Sequence, residues 1–268
     1  MKGTILLTFD LEEFDLPREY GIKVSDEKEF EPPYRGLMKV LDIIDEFEFK
    51  CTFFATNVFA DKNPSTIKNL KEKGHEIGSH GLSHAHNYSI MPVEESIEKL
   101  KKCRTNLETI CDCTVQGFRA PRLRHPALTL LKEVGFLYDS SIHPTYVPGR
   151  YNNLERSCDV KEYDGITEIP ISVMPFIRLP YSWIWFRNLG VTYAKLATQN
   201  TLAFRDFVNI YFHPWEFVDL TKMSIPRIIK RNTGEPMAKS LDEYVRWCLK
   251  KDFKFTTISD YLGFKEVE

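Results

Sequence analysis

The chain reads as an α/β protein, a mostly parallel sheet or barrel with helices outside, forming one domain over residues 1–268. Three observations point there. Strand-like and helix-like segments alternate through most of its length and are joined by short turns, the pattern of repeated βα units. Polar residues recur at the carboxyl ends of the strand candidates, where such folds carry their working groups. No linker, repeat or low-complexity tract divides the 268 residues.

The elements follow in order. "GTILLTF" is a buried strand candidate, and Leu37, Val40, Leu41 and Ile44 then recur at i, i+3, i+4, i+7, one apolar face of a helix. "CTFFAT" is the next strand. "NPSTIKNLKEKG" is a helix with proline and serine at its start and glycine at its end. "HEIGSH" is short and strand-like, and Ile97, Leu100, Cys103, Leu107 and Ile110 mark a long amphipathic helix. "VQGFRAP" is a strand ending in a proline turn, and "PALTLLKEVGF" a helix closed by glycine. From 144 to 190 the alternation weakens into a stretch rich in proline and aromatics, with one clear strand, "ITEIPIS". "FVNIYFHP" is again a strand, Leu241, Tyr244, Val245, Cys248 and Leu249 mark a late helix, and "FKFTTISDYL" is a last strand plus cap.

Composition excludes several classes. Lysine plus arginine (36) nearly balances aspartate plus glutamate (38), so no basic excess argues for nucleic acid and no polybasic cluster for an anionic membrane. The N-terminal apolar run is broken by Asp10 and is too short for a membrane span or signal peptide, which suggests a cytoplasmic protein without stable membrane insertion. Six scattered cysteines do not make a disulfide scaffold. Cys111 and Cys113 with Cys103 are read as buried reduced thiols rather than a metal site, because Cys103 falls on the core-facing side of its helix and no Cys-x-x-Cys pair accompanies it.

Residues 74–86, "GHEIGSHGLSHAH", hold four of the seven histidines. His80 and His84 are four apart. On a helical turn that spacing puts both imidazoles on one face, within reach of a single ion, although a hydrogen-bonded helix terminus would look the same. His75 reads as structural, and His86 would point elsewhere. A third ligand should be a carboxylate from another strand end, and "FDLEEF" offers Asp10, Glu12 and Glu13. Side chains alternate along a strand, so Asp10 and Glu12 share a face: one can bind a metal while the other stays free as a base.

With those residues in view, the chain resembles the polysaccharide deacetylases of the NodB-homology type, carbohydrate esterase family four. "TFDLEE" looks like the family's first motif, "GHEIGSHGLSH" its second, "GFRAPR" its third, "YDSSIHP" its fourth and "FHPWEF" its fifth, while "CTFFATN" matches a strand that normally precedes the second. The resemblance implies a distorted (β/α) barrel of about seven parallel strands. It implies Asp10 as general base, His80 and His84 as ligands of one divalent metal ion, Arg119 paired with the base, Asp139 tuning the acid and His213 as general acid. The family's usual second aspartate falls on Leu11, so Glu12 is the natural replacement ligand, with Glu13 a lesser stand-in. Arg122 replaces an aromatic at the end of the third motif and is a candidate substrate contact. Trp215 is a candidate for lining the acetyl pocket. His143 and Glu216 are extra polar groups without a clear family counterpart.

These residue types suit amide hydrolysis. Asp10 would take a proton from water and be kept ionised by Arg119 and the cation. A backbone N–H near Arg122 would help the metal stabilise the oxyanion, and His213 would protonate the departing amine. Imidazole and carboxylate ligands suit zinc among divalent ions. The expected substrate is an N-acetylated amino sugar of a glycan or glycan precursor. Trp183 and Trp185 in "RLPYSWIWFRNLG" would serve equally as a wall for sugar rings, as core packing or as a dimer segment; the oligomeric state is not readable. A cyclic-amide hydrolase of the allantoinase kind and a non-catalytic glycan-binding relative are the alternatives. The tryptophans lean against the first, and the presence of Asp10, Arg119 and His213 leans against the second.

Overall fold

A computed structural model describes residues 3–265. Its strands are β1 (Thr4–Leu11), β2 (Thr52–Ala55), β3 (Glu76–Ser79), β4 (Gly117–Phe118), β5 (Tyr138–Asp139), β6 (Tyr146–Val147), β7 (Tyr151–Asn152), β8 (Lys161–Tyr163), β9 (Ile166–Glu168), β10 (Phe207–Phe212) and β11 (Lys254–Phe255). The main sheet runs β10-β1-β2-β3-β4-β5-β9-β8, with β11 also on β1. Every pairing from β10 to β9 is parallel, so seven strands make the curved parallel wall that the sequence predicts. β8 returns antiparallel on β9, and β6 with β7 forms a separate ribbon. The seam between the two ends of the wall is bridged where Ser172 N donates to Asn209 O at 2.8 Å and Asn209 N to Ser172 Oγ at 2.8 Å.

The helices are α1 (Asp26–Phe47), α2 (Asn57–Lys62), α3 (Pro64–Glu72), α4 (Val93–Cys111), α5 (Leu128–Val134), α6 (Trp183–Leu202), α7 (Arg227–Lys230), α8 (Glu235–Lys250) and α9 (Ile258–Leu262). Of the apolar stripes read from the sequence, Leu37, Val40, Leu41 and Ile44 on α1 and Leu241, Tyr244, Val245 and Cys248 on α8 are buried, whereas Leu249 at the end of the second is exposed. α6 was not expected. Its residues are apolar on several sides, so no single stripe announces it, and Gly190 (φ 83°, ψ 176°) breaks its helical course. No helix among the described residues is long and apolar enough to cross a membrane.

The period-two alternation of β1 sorts its side chains. Ile5, Leu7, Phe9 and Leu11 join the large core beneath the helices, whereas Leu6 joins Phe54, Tyr138 and Ile169 in a second cluster. Thr8 and Asp10 continue the Leu6 face toward the carboxyl end of the strand. The arithmetic of one strand thus carries an aspartate to the barrel mouth, above a plug of apolar residues.

Candidate active site

Four strand ends meet at that mouth. Asp10 lies one residue before the end of β1, His80 follows β3, Arg119 follows β4 and His213 follows β10, and all four are buried. Glu12 lies just past β1, also buried.

Glu12 Oε2 is 3.2 Å from His80 Nε2 and 3.0 Å from His84 Nε2. The ligand atoms of the three residues all lie within 4.8 Å of one another. Each imidazole is held from behind: His80 Nδ1 donates to Arg119 O at 2.8 Å, and His84 Nδ1 to Asp15 Oδ1 at 2.6 Å. With Nδ1 engaged, each ring aims its Nε2 at Glu12, the orientation that metal-bound histidines adopt. The donor chemistry and its outer partners therefore fit a divalent cation. The helical turn expected between the two histidines is absent. Gly81 takes φ +78° and the chain runs as a loop, yet the rings still lie 5.9 Å apart and nearly parallel at 20°. Glu13 stitches that loop down, accepting from Ser83 Oγ (2.9 Å) and His84 N (3.2 Å) on one oxygen and from Thr56 Oγ1 (2.6 Å) on the other.

Burial pushes the Glu12 carboxyl up, but the charges of His84 and His213 and the hydrogen bond to His80 outweigh it and hold Glu12 well below the usual carboxylate range. Burial lowers His84, and the neighbouring Glu12 and Asp15 more than reverse that, leaving it raised.

Arg119, fully buried, spends its guanidinium on Asp10 Oδ1 (2.9 Å), Thr8 Oγ1 (2.8 Å), Ser140 O (3.0 Å) and Ser140 Oγ (3.0 Å). It lies 4.3 Å over the Phe54 ring, capping the inner apolar cluster. The expected pairing of Asp10 with Arg119 is present.

The expected partnership of Asp139 with His213 is not. Asp139 accepts from Ser141 Oγ at 2.6 Å and Ser141 N at 3.3 Å, and Ser141 Oγ in turn accepts from Ala120 N at 2.8 Å. Burial and the Asp139 charge push Glu168 well above the carboxylate range. Asp139 thus braces the end of β4 instead of the acid. His213 turns to Glu216: Oε1 of Glu216 accepts from His213 N at 2.9 Å and lies 3.2 Å from His213 Nδ1. Oε2 accepts from Arg187 Nη1 at 2.6 Å. His213 Nε2 is left 3.7 Å from Glu12 Oε1. Burial lowers His213, while Glu12 and Glu216 raise it further than burial lowers it.

Trp215 is buried, donates from Nε1 to Glu12 Oε1 at 3.2 Å, and stacks on His213 with centroids 4.9 Å apart. Trp183 meets His213 edge-on at 4.9 Å. The short 3₁₀ turn Pro214–Phe217 that carries these groups packs on α1 at Gly36, where a Cβ would fall 1.7 Å from Pro214 O.

A cavity of about 180 Å³ opens over these groups, lined by Asp10, Glu12, His80, His84, His213 and Trp215 and walled by Trp183, Trp185, Tyr151 and Ile229. Arg122 also borders it, but its guanidinium is committed to Asp15 Oδ2 (2.8 Å), Glu19 Oε1 (2.7 Å) and His84 O (2.6 Å). Those bonds hold it behind His84, at the edge of the cavity. His143 is buried, with Nδ1 2.8 Å from Tyr151 Oη, one step behind the cavity wall. Asp15 and Arg187 went unsuspected from sequence. Neither sits in a motif, and each acts on the site only through another side chain.

Residues 2–138 match the family model described as polysaccharide deacetylase, and residues 140–263 match one described as a domain of unknown function, DUF3473. The boundary between the two cuts the site, since Asp10, Glu12, His80, His84 and Arg119 lie in the first match and His213, Trp215 and Glu216 in the second. A peptidoglycan deacetylase-like protein of Gibberella zeae is 34% identical over 108 residues, 40% of this chain and 31% of that protein. A chitin deacetylase of Arthroderma benhamiae is 26% identical over 185 residues, 66% of this chain and 40% of that one. The chain spans less than half the length of these relatives. Among solved structures, one described as a putative polysaccharide deacetylase from Mycobacterium smegmatis aligns over 98% of this chain and 90% of its own, at 20% identity and TM-score 0.64. Puue allantoinase aligns over 97% and 89% at 16% identity and TM-score 0.65. The two structures share the barrel described above. With residues 2–138, just over half of its length, matched by the family model, the chain belongs to the polysaccharide deacetylase family.

Proposed function

We propose that the chain, acting as a single domain, is a metal-dependent deacetylase that removes the N-acetyl group from an amino sugar of a glycan or glycan precursor. The observation that carries this reading is the lining of one cavity by Asp10, by His213 and by the three converging donors Glu12, His80 and His84. The relatives named for chitin and peptidoglycan deacetylation support the substrate class. The donor set suits zinc among divalent ions.

Glu12, His80 and His84 would hold the cation, which when bound supplies a Lewis acid for the amide carbonyl and an acidified water. Asp10, held in place by its bond to Arg119, accepts the proton of the attacking water. His213 delivers a proton from Nε2 to the leaving nitrogen as the C–N bond breaks. The indoles of Trp183 and Trp185 offer apolar faces against which a sugar ring can lie. That wall favours a sugar over a small cyclic ureide, the second reading raised by the likeness to an allantoinase.

The deciding experiment couples metal analysis of the purified protein to an acetate-release screen over N-acetylated sugars, with allantoin alongside. The reading expects one divalent ion per chain and acetate from the sugars. Asp10→Asn should keep the metal and lose turnover. Ring opening of allantoin without acetate release from any sugar would replace this reading with the second.

A further inference from the structure

The acid side of the cavity contains more than His213. We infer that Glu216 and Arg187 form a buried positioning relay for His213, in the place where Asp139 was expected; this rests on the reading of His213 as the acid. One carboxylate oxygen, Glu216 Oε1, lies 2.9 Å from the His213 backbone N and 3.2 Å from its Nδ1. A single acceptor that engages both the main chain and the ring of one residue fixes the ring's rotation about its own backbone. Because a carboxylate can only accept, Nδ1 carries hydrogen and Nε2 is the atom left to face Glu12 and the cavity.

Glu216 is buried without exposure, as is the Arg187 side chain that it pairs with. A lone carboxylate there would be costly, and Arg187 Nη1 at 2.6 Å on Oε2 removes that cost. Arg187 is itself anchored through Nη2 to the carbonyl of Ile229, a residue of the cavity wall, and sits 5.2 Å from the Trp183 ring that packs against His213. The relay thus runs from the wall backbone through Arg187 and Glu216 to His213. Asp139 has partners of its own in Ser141 and Glu168. In the transfer, the Nε2–H bond of the His213 imidazolium breaks as the N–H bond of the leaving amine forms. The C–N bond breaks with its electron pair on that nitrogen, and His213 ends neutral with its Nδ1–H still donated to Glu216.

A glutamine at 216 has one acceptor oxygen where the relay uses two, so it cannot serve His213 and Arg187 together. The test compares Glu216→Gln, Arg187→Lys, Arg187→Met and His213→Asn on two substrates, an N-acetylated sugar and p-nitrophenyl acetate, with bound metal measured in each. The aryl ester's phenolate leaves without help from an acid, whereas an amine does not. Glu216→Gln should lower kcat on the amide about 10²-fold, the low end of what a positioned acid contributes. Its amide-to-ester ratio should fall with that of His213→Asn, with metal retained, and Arg187→Lys should keep more amide turnover than Arg187→Met. Equal falls on both substrates in Glu216→Gln, beside an amide-selective fall in His213→Asn, would reduce Glu216 to a fold support and overturn the relay alone. No amide-selective fall in His213→Asn would remove the acid assignment and the relay with it. If Glu216→Gln does not fold, the two Arg187 variants decide: the same amide-to-ester ratio as the unaltered protein in both overturns the relay.

Discussion

The Trp215 indole N–H lies 3.2 Å from Oε1 of Glu12, which leaves Oε2 of the same carboxylate facing His80 and His84. An orienting donor of this kind is worth about 10–100-fold in metal affinity. Trp215→Phe keeps an aromatic ring against His213 and deletes the donor together with part of a buried indole, so metal affinity should fall by at least about that factor. Competition titration against a chelating dye measures it; an unchanged affinity would mean that Glu12 orients itself.

Arg122 offers a sharper contrast. Its three bonds reach Asp15, Glu19 and the His84 carbonyl, so it supports the ring that Asp15 holds. Arg122→Ala should weaken metal binding about tenfold or more, and in metal-saturated protein it should leave KM close to that of the unaltered chain. A raised KM with metal affinity intact would restore the substrate contact expected from sequence.

The fates of Arg122 and Asp139 show where reading the sequence stops. Asp10, His80, Arg119 and His213 were legible because each lies at a strand end, and strand ends converge in a parallel barrel whatever the loops do. Glu12 was legible because strand alternation places it with Asp10. The helical placement of His80 and His84 was wrong, since Gly81 at φ +78° opens a loop that spacing cannot reveal. Pairings across the mouth are harder still. Which carboxylate reaches His213 depends on a 3₁₀ turn that folds Glu216 back on its own N-terminus, and on Arg187 from a helix with no clean stripe. The first is local to the turn and hidden only by its conformation, while the Arg187 contact is a relation of tertiary packing that no single segment encodes.

Gly36 tests how firmly that turn is held. A methyl group at this position would meet the Pro214 carbonyl at 1.7 Å, a backbone atom with no rotamer to escape into. Gly36→Ala must push α1 away from the Pro214–Phe217 turn, at about 1–3 kcal/mol for overpacking. The displacement moves His213 and Trp215 together, so kcat should drop beyond what the loss in urea midpoint explains. A variant with unaltered midpoint and turnover would show the contact to be looser than the geometry requires.

His143 makes a pH prediction away from the metal ligands. Burial holds it neutral, down to about 3 from its ordinary 6.5. Between those values the unfolded chain binds a proton that the folded chain refuses, so the folded state loses stability as pH falls through that window and keeps it in full above the ordinary value. One such proton is worth about 1.4 kcal/mol per pH unit. His75, lowered to about 4 by burial, adds in the same direction. In chelator-treated protein, urea unfolding at pH 7.5 and 4.5 should show His143→Gln losing about 3 kcal/mol less than the unaltered chain across that interval. The comparison is between slopes, so any constant loss from the Tyr151 hydrogen bond cancels. Identical slopes would mean that His143 takes up its proton in the folded state, reaching water or a carboxylate by a route that its burial at 1% exposure does not provide.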